Sequence, residues 1–195
     1  RGEQEGVGKR PWGHGSIRRR MPHVLELAST GRAKCRGCGQ QIAAKTVRLG
    51  ERVPNPFSDD GGETTHWYHP ACGAFRRPEA FIDALASTDV DVQDRAVLAH
   101  EAALGVAHHR VPRVSTAGLA PTGRATCRGC KEAIAKDTWR IALVFYEDGR
   151  FVPSGFVHAS CAASYLETTD LLPRIRHFSP DLTEADITAL TAALS

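Results

Sequence analysis

Much of what usually announces a function is scarce in this chain. Of its 195 residues six are cysteine and one is methionine, and lysine is rare beside arginine. No apolar run approaches the length of a bilayer span, and none near the start has the form of a secretory leader. The expectation is therefore no membrane-spanning helix within these residues and no membrane partner. Neither G-x-G-x-x-G nor G-x4-G-K-[ST] occurs, so the common phosphate-cradling loops are missing. The histidines that do not pair with cysteines are scattered and form no catalytic constellation. The expectation is a non-enzymatic chain with no small-molecule substrate. Charge of one sign hardly dominates either: the formal net charge is +3. Residues 1–20 hold six basic against two acidic side chains, which leaves the other 175 residues at −1. Bulk charge therefore does not announce a nucleic-acid binder, and any such face must come from local clustering.

The cysteines that are present are all used in one pattern. Cys35 and Cys38 are followed thirty residues later by His69 and Cys72. Cys127 and Cys130 are followed after twenty-seven residues by His158 and Cys161. Each set is C-x2-C…H-x2-C, three thiolates and one imidazole, the four-coordinate shell of a structural Zn²⁺. A disulfide framework fits poorly, because each set has an odd number of cysteines and a matched histidine. Two zinc ions are expected, one per set, each in a closed site with no coordination position left for water. His66 precedes His69 by three, but only His69 and His158 share the H-x2-C spacing. Thiolate ligands imply a reducing, intracellular setting.

The sets lie in an internal repeat. T-G-R-A-K-C-R-G-C returns as T-G-R-A-T-C-R-G-C, offset by 92 residues. The repeat argues for two units of 85–90 residues, each small for an independent core and each stabilised by its metal. The expected layout is a disordered basic arm over 1–22, one zinc finger over 23–107 and a second over 108–195. Each is expected as a small α+β unit: a short antiparallel sheet, a zinc knuckle and a C-terminal helix. His23–Ala28, Thr46–Leu49 and Thr138–Phe145 read as strands, and Asp148-Gly149 reads as a hairpin turn. Gly37 and Gly129, inside the C-x-x-C turns, are expected at positive φ. A helix is expected over about 91–107 with Ala96, Ala99 and Ala103 as its inner stripe. Another is expected after Thr183, capped reciprocally by Thr183 and Asp186.

These residues resemble the poly(ADP-ribose) polymerase-type zinc finger, a family that also occurs at the N-terminus of a vertebrate DNA ligase. The resemblance rests on G-R-A-x-C-x-x-C, on Ile42…Arg48 and Ile134…Arg140, and on W-Y-H-x-x-C at Trp67–Cys72. It covers about 23–106 and again 111–195; the second copy departs by carrying Phe156-Val157-His158 at the last motif.

The basic residues cluster around each knuckle: Arg32, Lys34, Arg36 and Arg48 in the first copy, Arg124, Arg128 and Arg140 in the second. Guanidinium forks match phosphate oxygens, although a solvated surface with a few ion pairs would have the same composition. The resemblance implies that arginines at the positions of Arg32, Arg48, Arg124 and Arg140 contact the backbone at a DNA break. It also implies that an apolar side chain from the strand-to-loop region caps the exposed base pair. Candidates are Phe57 in the first copy and Phe145, Tyr146 or Phe151 in the second.

The function expected is recognition of DNA strand breaks (nicks, gaps, ends) in DNA repair, in a bacterial cytoplasm or nucleoid or in a eukaryotic nucleus. Abundant Ala and Arg with one Met suggest a GC-rich bacterial genome. Two alternatives stand beside it. One is a zinc-stabilised protein-interaction module with a repair-protein partner. The other is the sensor fragment of a larger ligase, nuclease or ADP-ribosyltransferase, which a chain beginning at Arg1 leaves open.

Overall fold

In the computed structural model, which describes residues 22–55, 58 and 62–194, two units of the same plan follow one another. In the first, β1 (Val24–Leu27), β2 (Val47–Pro54) and β3 (Glu63–Tyr68) form an antiparallel sheet in that order. Three helices follow: α1 (Pro70–Arg76), α2 (Pro78–Ala86) and α3 (Arg95–Ala107). After a 3₁₀ turn at Val111–Arg113, the second unit repeats the sheet as β4 (Val114–Leu119), β5 (Trp139–Glu147) and β6 (Arg150–His158). Its helices are α4 (Ala159–Leu166), α5 (Leu172–Phe178) and α6 (Glu184–Leu194). This is the small α+β class expected, with three helices per unit instead of one. Residues 1–21 of the expected arm, and Phe57, lie outside the described residues.

The extra helices had local signals. Pro70 and Pro78 stand in the first turns of α1 and α2, and Pro173 in that of α5. A proline there loses nothing, because the first helical N–H groups have no intrahelical acceptor. α3 ends where expected, at Ala107, but starts later and turns a different face inward. The helix starts at Arg95, after Asp94 at φ 55, and its inner face is Leu98, Ala102 and Gly105 together with Glu101. Ala96 and Ala103 are exposed. Gly105 explains the rotation: a Cβ there would lie 3.1 Å from the Pro78 ring and 3.4 Å from that of Pro112, so this face is the one packed closest to its neighbours. The Thr183–Asp186 cap forms as expected, with the Asp186 N–H donating to Thr183 Oγ1 at 3.2 Å and the Thr183 N–H to Asp186 Oδ2 at 2.9 Å.

Each unit has its own core between sheet and helices. In the first it is built on Ile42, Leu49, Tyr68 and Phe81. In the second it is built on Ile134, Ile141, Leu143, Leu166 and Ile175. Burying each such side chain contributes about 1.5–3 kcal/mol. The units also pack against each other. Phe151 and Phe178 of the second lie against the core of the first. Arg174, wholly buried, donates to the Phe75 carbonyl at 3.1 Å. The tip of the β5–β6 hairpin rests on the first unit, where Arg36 donates to the Gly149 carbonyl at 3.3 Å. Tyr146 is hydrogen-bonded to His66 Nδ1 at 2.8 Å.

Candidate zinc centres and nucleic-acid interface

The C-x-x-C turns are built the same way twice. The Cys35 N–H donates to Gln40 O and the Gly39 N–H to Cys35 O, both at 2.8 Å. The Cys127 N–H donates to Glu132 O at 2.8 Å and the Lys131 N–H to Cys127 O at 3.0 Å. Positive φ falls on Gly39 (76°) and its repeat partner Lys131 (70°), not on Gly37 and Gly129. The inner glycines are needed for closeness instead. A Cβ on Gly37 would stand 2.8 Å from Cys72 Cβ, and one on Gly129 3.3 Å from Cys161 Cβ.

β3 and β6 then deliver the histidines, and the first turns of α1 and α4 deliver Cys72 and Cys161. In each set the four ligand atoms lie within 4.8 Å of one another. Cys38 Sγ is 3.4 Å from His69 Nδ1, and Cys130 Sγ is 3.4 Å from His158 Nδ1. A tetrahedral Zn²⁺ with ordinary Zn–S and Zn–N bonds places such S and N atoms about 3.5 Å apart. The sets therefore fit the ion through Nδ1. Backbone N–H groups supplement the shell: His69 N–H points at Cys35 Sγ and His158 N–H at Cys127 Sγ, both at 3.3 Å.

The donor chemistry also asks for a cation. Cys35 is drawn down to about 4, first by the Cys72 thiol bonded to it, and Cys72 is pushed up by the same bond. Burial raises Cys127, but the N–H groups of His158, Cys130 and Gly129 outweigh it and bring the thiol down to about 6. Three sulfurs this close cannot all be thiolates unless a positive charge sits between them. His66 takes no part. Its ring bonds to Tyr146, and burial, then the Arg36 charge, hold it below the ordinary imidazole range.

The aromatic residue two before each ligand histidine carries an arginine on its ring. Arg48 on β2 lies 3.6 Å over the Trp67 ring, and Arg140 on β5 lies 3.8 Å over Phe156. The knuckle arginines join them through their backbones. The Arg36 N–H donates to Trp67 O and the Arg128 N–H to Phe156 O, both at 2.8 Å. Phe156 thus stands in for the tryptophan of the first copy.

The expected phosphate contacts divide into four groups. Arg32, Lys34, Arg124 and Arg128 are exposed. Arg36 is exposed but hydrogen-bonded to the hairpin tip. Arg48 is buried at 7 % exposure and ion-paired with Glu26 at 2.6 Å, so it is not the free guanidinium the sequence suggested. The reason is the register: Glu26 faces Arg48 across β1–β2, whereas Gly118 faces Arg140 across β4–β5. Among the described residues no carboxylate pairs with Arg140. Of the aromatic candidates, Phe145 is 51 % exposed. Tyr146 is occupied, with Arg77 at 4.1 Å and Phe151 at 4.9 Å from its ring. Phe151 is packed on the first unit.

The family model described as "Poly(ADP-ribose) polymerase and DNA-Ligase Zn-finger region" matches residues 26–99. The first unit is a zinc finger of that family. The chain is 29 % identical over 143 residues to a poly(ADP-ribose) polymerase of Drosophila melanogaster, covering 65 % of this chain and 14 % of that protein. It is 30 % identical over 135 residues to poly(ADP-ribose) polymerase 1 of Gallus gallus, covering 62 % and 13 %. With the enzyme of Sarcophaga peregrina the likeness is 25 % over 188 residues, 83 % of this chain and 19 % of that protein. These stretches are longer than either unit, while the chain spans under a fifth of each relative. The poly(ADP-ribose) polymerase-type finger thus supplies the first Cys₃His zinc site, and the second site repeats its donor set. Among the described residues no helix is long and apolar enough to cross a membrane.

Proposed function

We propose that the chain is a non-catalytic tandem zinc-finger module that binds DNA at strand breaks and recognises them by shape. The observation that carries this reading is the unpaired Arg140 on Phe156, beside exposed Arg128, in a unit that repeats the plan of a poly(ADP-ribose) polymerase-type finger. The second unit is read as a finger of the same family. A guanidinium flattened on a ring has lost rotamer freedom before it meets a phosphate, which lowers the cost of binding. Arg32, Lys34 and Arg124 extend the cationic rim. Phe145, 51 % exposed, would cover a base pair left open at a break, since every base presents a stacking face. Contacts to backbone and stack carry no base code, so discrimination is between continuous and interrupted duplex rather than between sequences. An intracellular, DNA-associated location follows from that reading.

A protein-interaction module is the second reading. It is favoured by the inward use of charge: Arg36, Arg48, Arg76, Arg77 and Arg174 are all engaged with groups of this chain. In either case the module would serve as one part of a larger repair protein or complex.

The test is binding of the zinc-loaded chain to matched intact, nicked, gapped and blunt-ended duplexes at two salt concentrations. Break sensing predicts tighter binding to the interrupted duplexes and a steep loss of affinity with salt. Equal affinity for all four removes break recognition. No binding at either salt leaves the interaction module.

A further inference from the structure

We propose that His177, from the second unit, completes the first zinc centre by donating a hydrogen bond to the Cys72 ligand. Its Nε2 lies 3.1 Å from Cys72 Sγ, across 105 residues of sequence. His177 is not one of the four clustered donors, and a thiolate bound to zinc can only accept. The bond therefore fixes the tautomer, with the ring proton on Nε2. Such outer partners orient a ligand and temper the charge on its sulfur.

The placement of the ring is built in. The residues of α5 divide between the two units. Ile175 is buried in the second core. Arg174 and His177, three apart and so on one face of the helix, reach into the first. The imidazole is held edge-on between Phe75, at 5.1 Å, and Phe178, at 4.7 Å. Arg76, next on α1 beyond Phe75, stacks on Phe178 at 4.0 Å and donates to Ser115 at 3.3 Å, locking α1 against the second unit.

The second zinc centre has no counterpart. Among the described residues, no side chain from outside its ligand set bonds to a sulfur of Cys127, Cys130 or Cys161. Cys72 is fully buried, whereas Cys161 is partly exposed. The two metals are thus held unequally, and retention of the first depends on the units staying docked. The second centre serves as the reference, and His177→Gln, which keeps a donor, separates loss of the bond from loss of docking.

The experiment uses the full chain loaded with cadmium-113, which gives one resonance per site, assigned through coupling to the Cys72 and Cys161 β protons. His177→Phe keeps a ring between Phe75 and Phe178 but removes the donor; His177→Gln keeps an N–H donor. The expected result is a shift of the Cys72-coupled resonance alone in His177→Phe. Chelator-driven metal loss from that site should accelerate about tenfold, with both effects largely reversed in His177→Gln. An unchanged Cys72-coupled resonance in His177→Phe overturns the proposal. So do equal shifts in the two variants, which would make the ring's packing, and not its proton, the cause.

Discussion

Arg174 of the second unit and Glu101 of the first form an ion pair at 3.2 Å in which both side chains are out of solvent, at 0 % and 2 % exposure. The same guanidinium is hydrogen-bonded to the backbone carbonyls of Phe75 and Glu101, which leaves Glu101 Oε2 beside it without a well-aligned bond. Burial raises the Glu101 carboxyl and lowers Arg174 to about 10, still charged at neutral pH. The pair is thus costly to bury and more costly to break. Arg174→Met alone should lower the unfolding free energy by about 3–5 kcal/mol, because Glu101 is left charged and dry. Combining it with Glu101→Leu should recover most of that loss. Urea unfolding of the single and double variants measures both; equal stability of Arg174→Met and the native chain would show that the units do not dock through this pair.

Arg48 and Arg140 hold the same strand position, yet one faces Glu26 and the other Gly118. On the DNA-binding reading, Arg140→Ala should weaken binding to nicked duplex and lower the salt slope by about one phosphate contact, with little change in zinc content. Arg48→Ala should instead act on stability, by about 0.5–2 kcal/mol for the lost cation–π contact and ion pair. Titrations over a salt series decide it. If Arg48→Ala lowers the slope and Arg140→Ala does not, the free charge has been assigned to the wrong unit.

His66 is held below the ordinary imidazole range by burial first, and then by Arg36. The folded protein keeps this ring neutral, while the unfolded chain protonates it near the unperturbed value of about 6.5. Protons therefore favour the unfolded state, and the stability this ring supports is lost as pH falls through that range. The midpoint of thermal unfolding should drop between pH 7 and pH 5.5 by more in the native chain than in His66→Gln. Protonation of zinc ligands is common to both and cancels. Parallel pH profiles would mean that the His66–Tyr146 contact is immaterial to docking.

The ligand sets and the repeat were legible because both rest on local spacing. A C-x-x-C turn brings two sulfurs together whatever the rest of the chain does, and H-x2-C puts the other two donors at a strand end and in the first helical turn. Thr183 and Asp186 were legible for the same reason. The positive φ expected at Gly37 sits two residues on, at Gly39, because Gly37 is needed for its small size against Cys72. The α3 stripe was misplaced because three alanines at helical spacing carry less apolar weight than Leu98 with a glycine that lets two prolines approach.

The sequence by itself determined the donor set of each metal centre, the two-unit plan and the strands β1, β2 and β5, since these follow from periodicity and from spacings of a few residues. Only the tertiary structure decided which charges remain available. Arg48 and Arg140 read alike in the chain and differ by a cross-strand neighbour 22 residues away. Tyr146 and the hairpin tip are occupied by residues of the other unit. His177 meets Cys72 over a separation at which sequence carries no pattern. Coordination and turn geometry are short-range and written locally, whereas desolvation and pairing of charge depend on what the folded chain brings from afar.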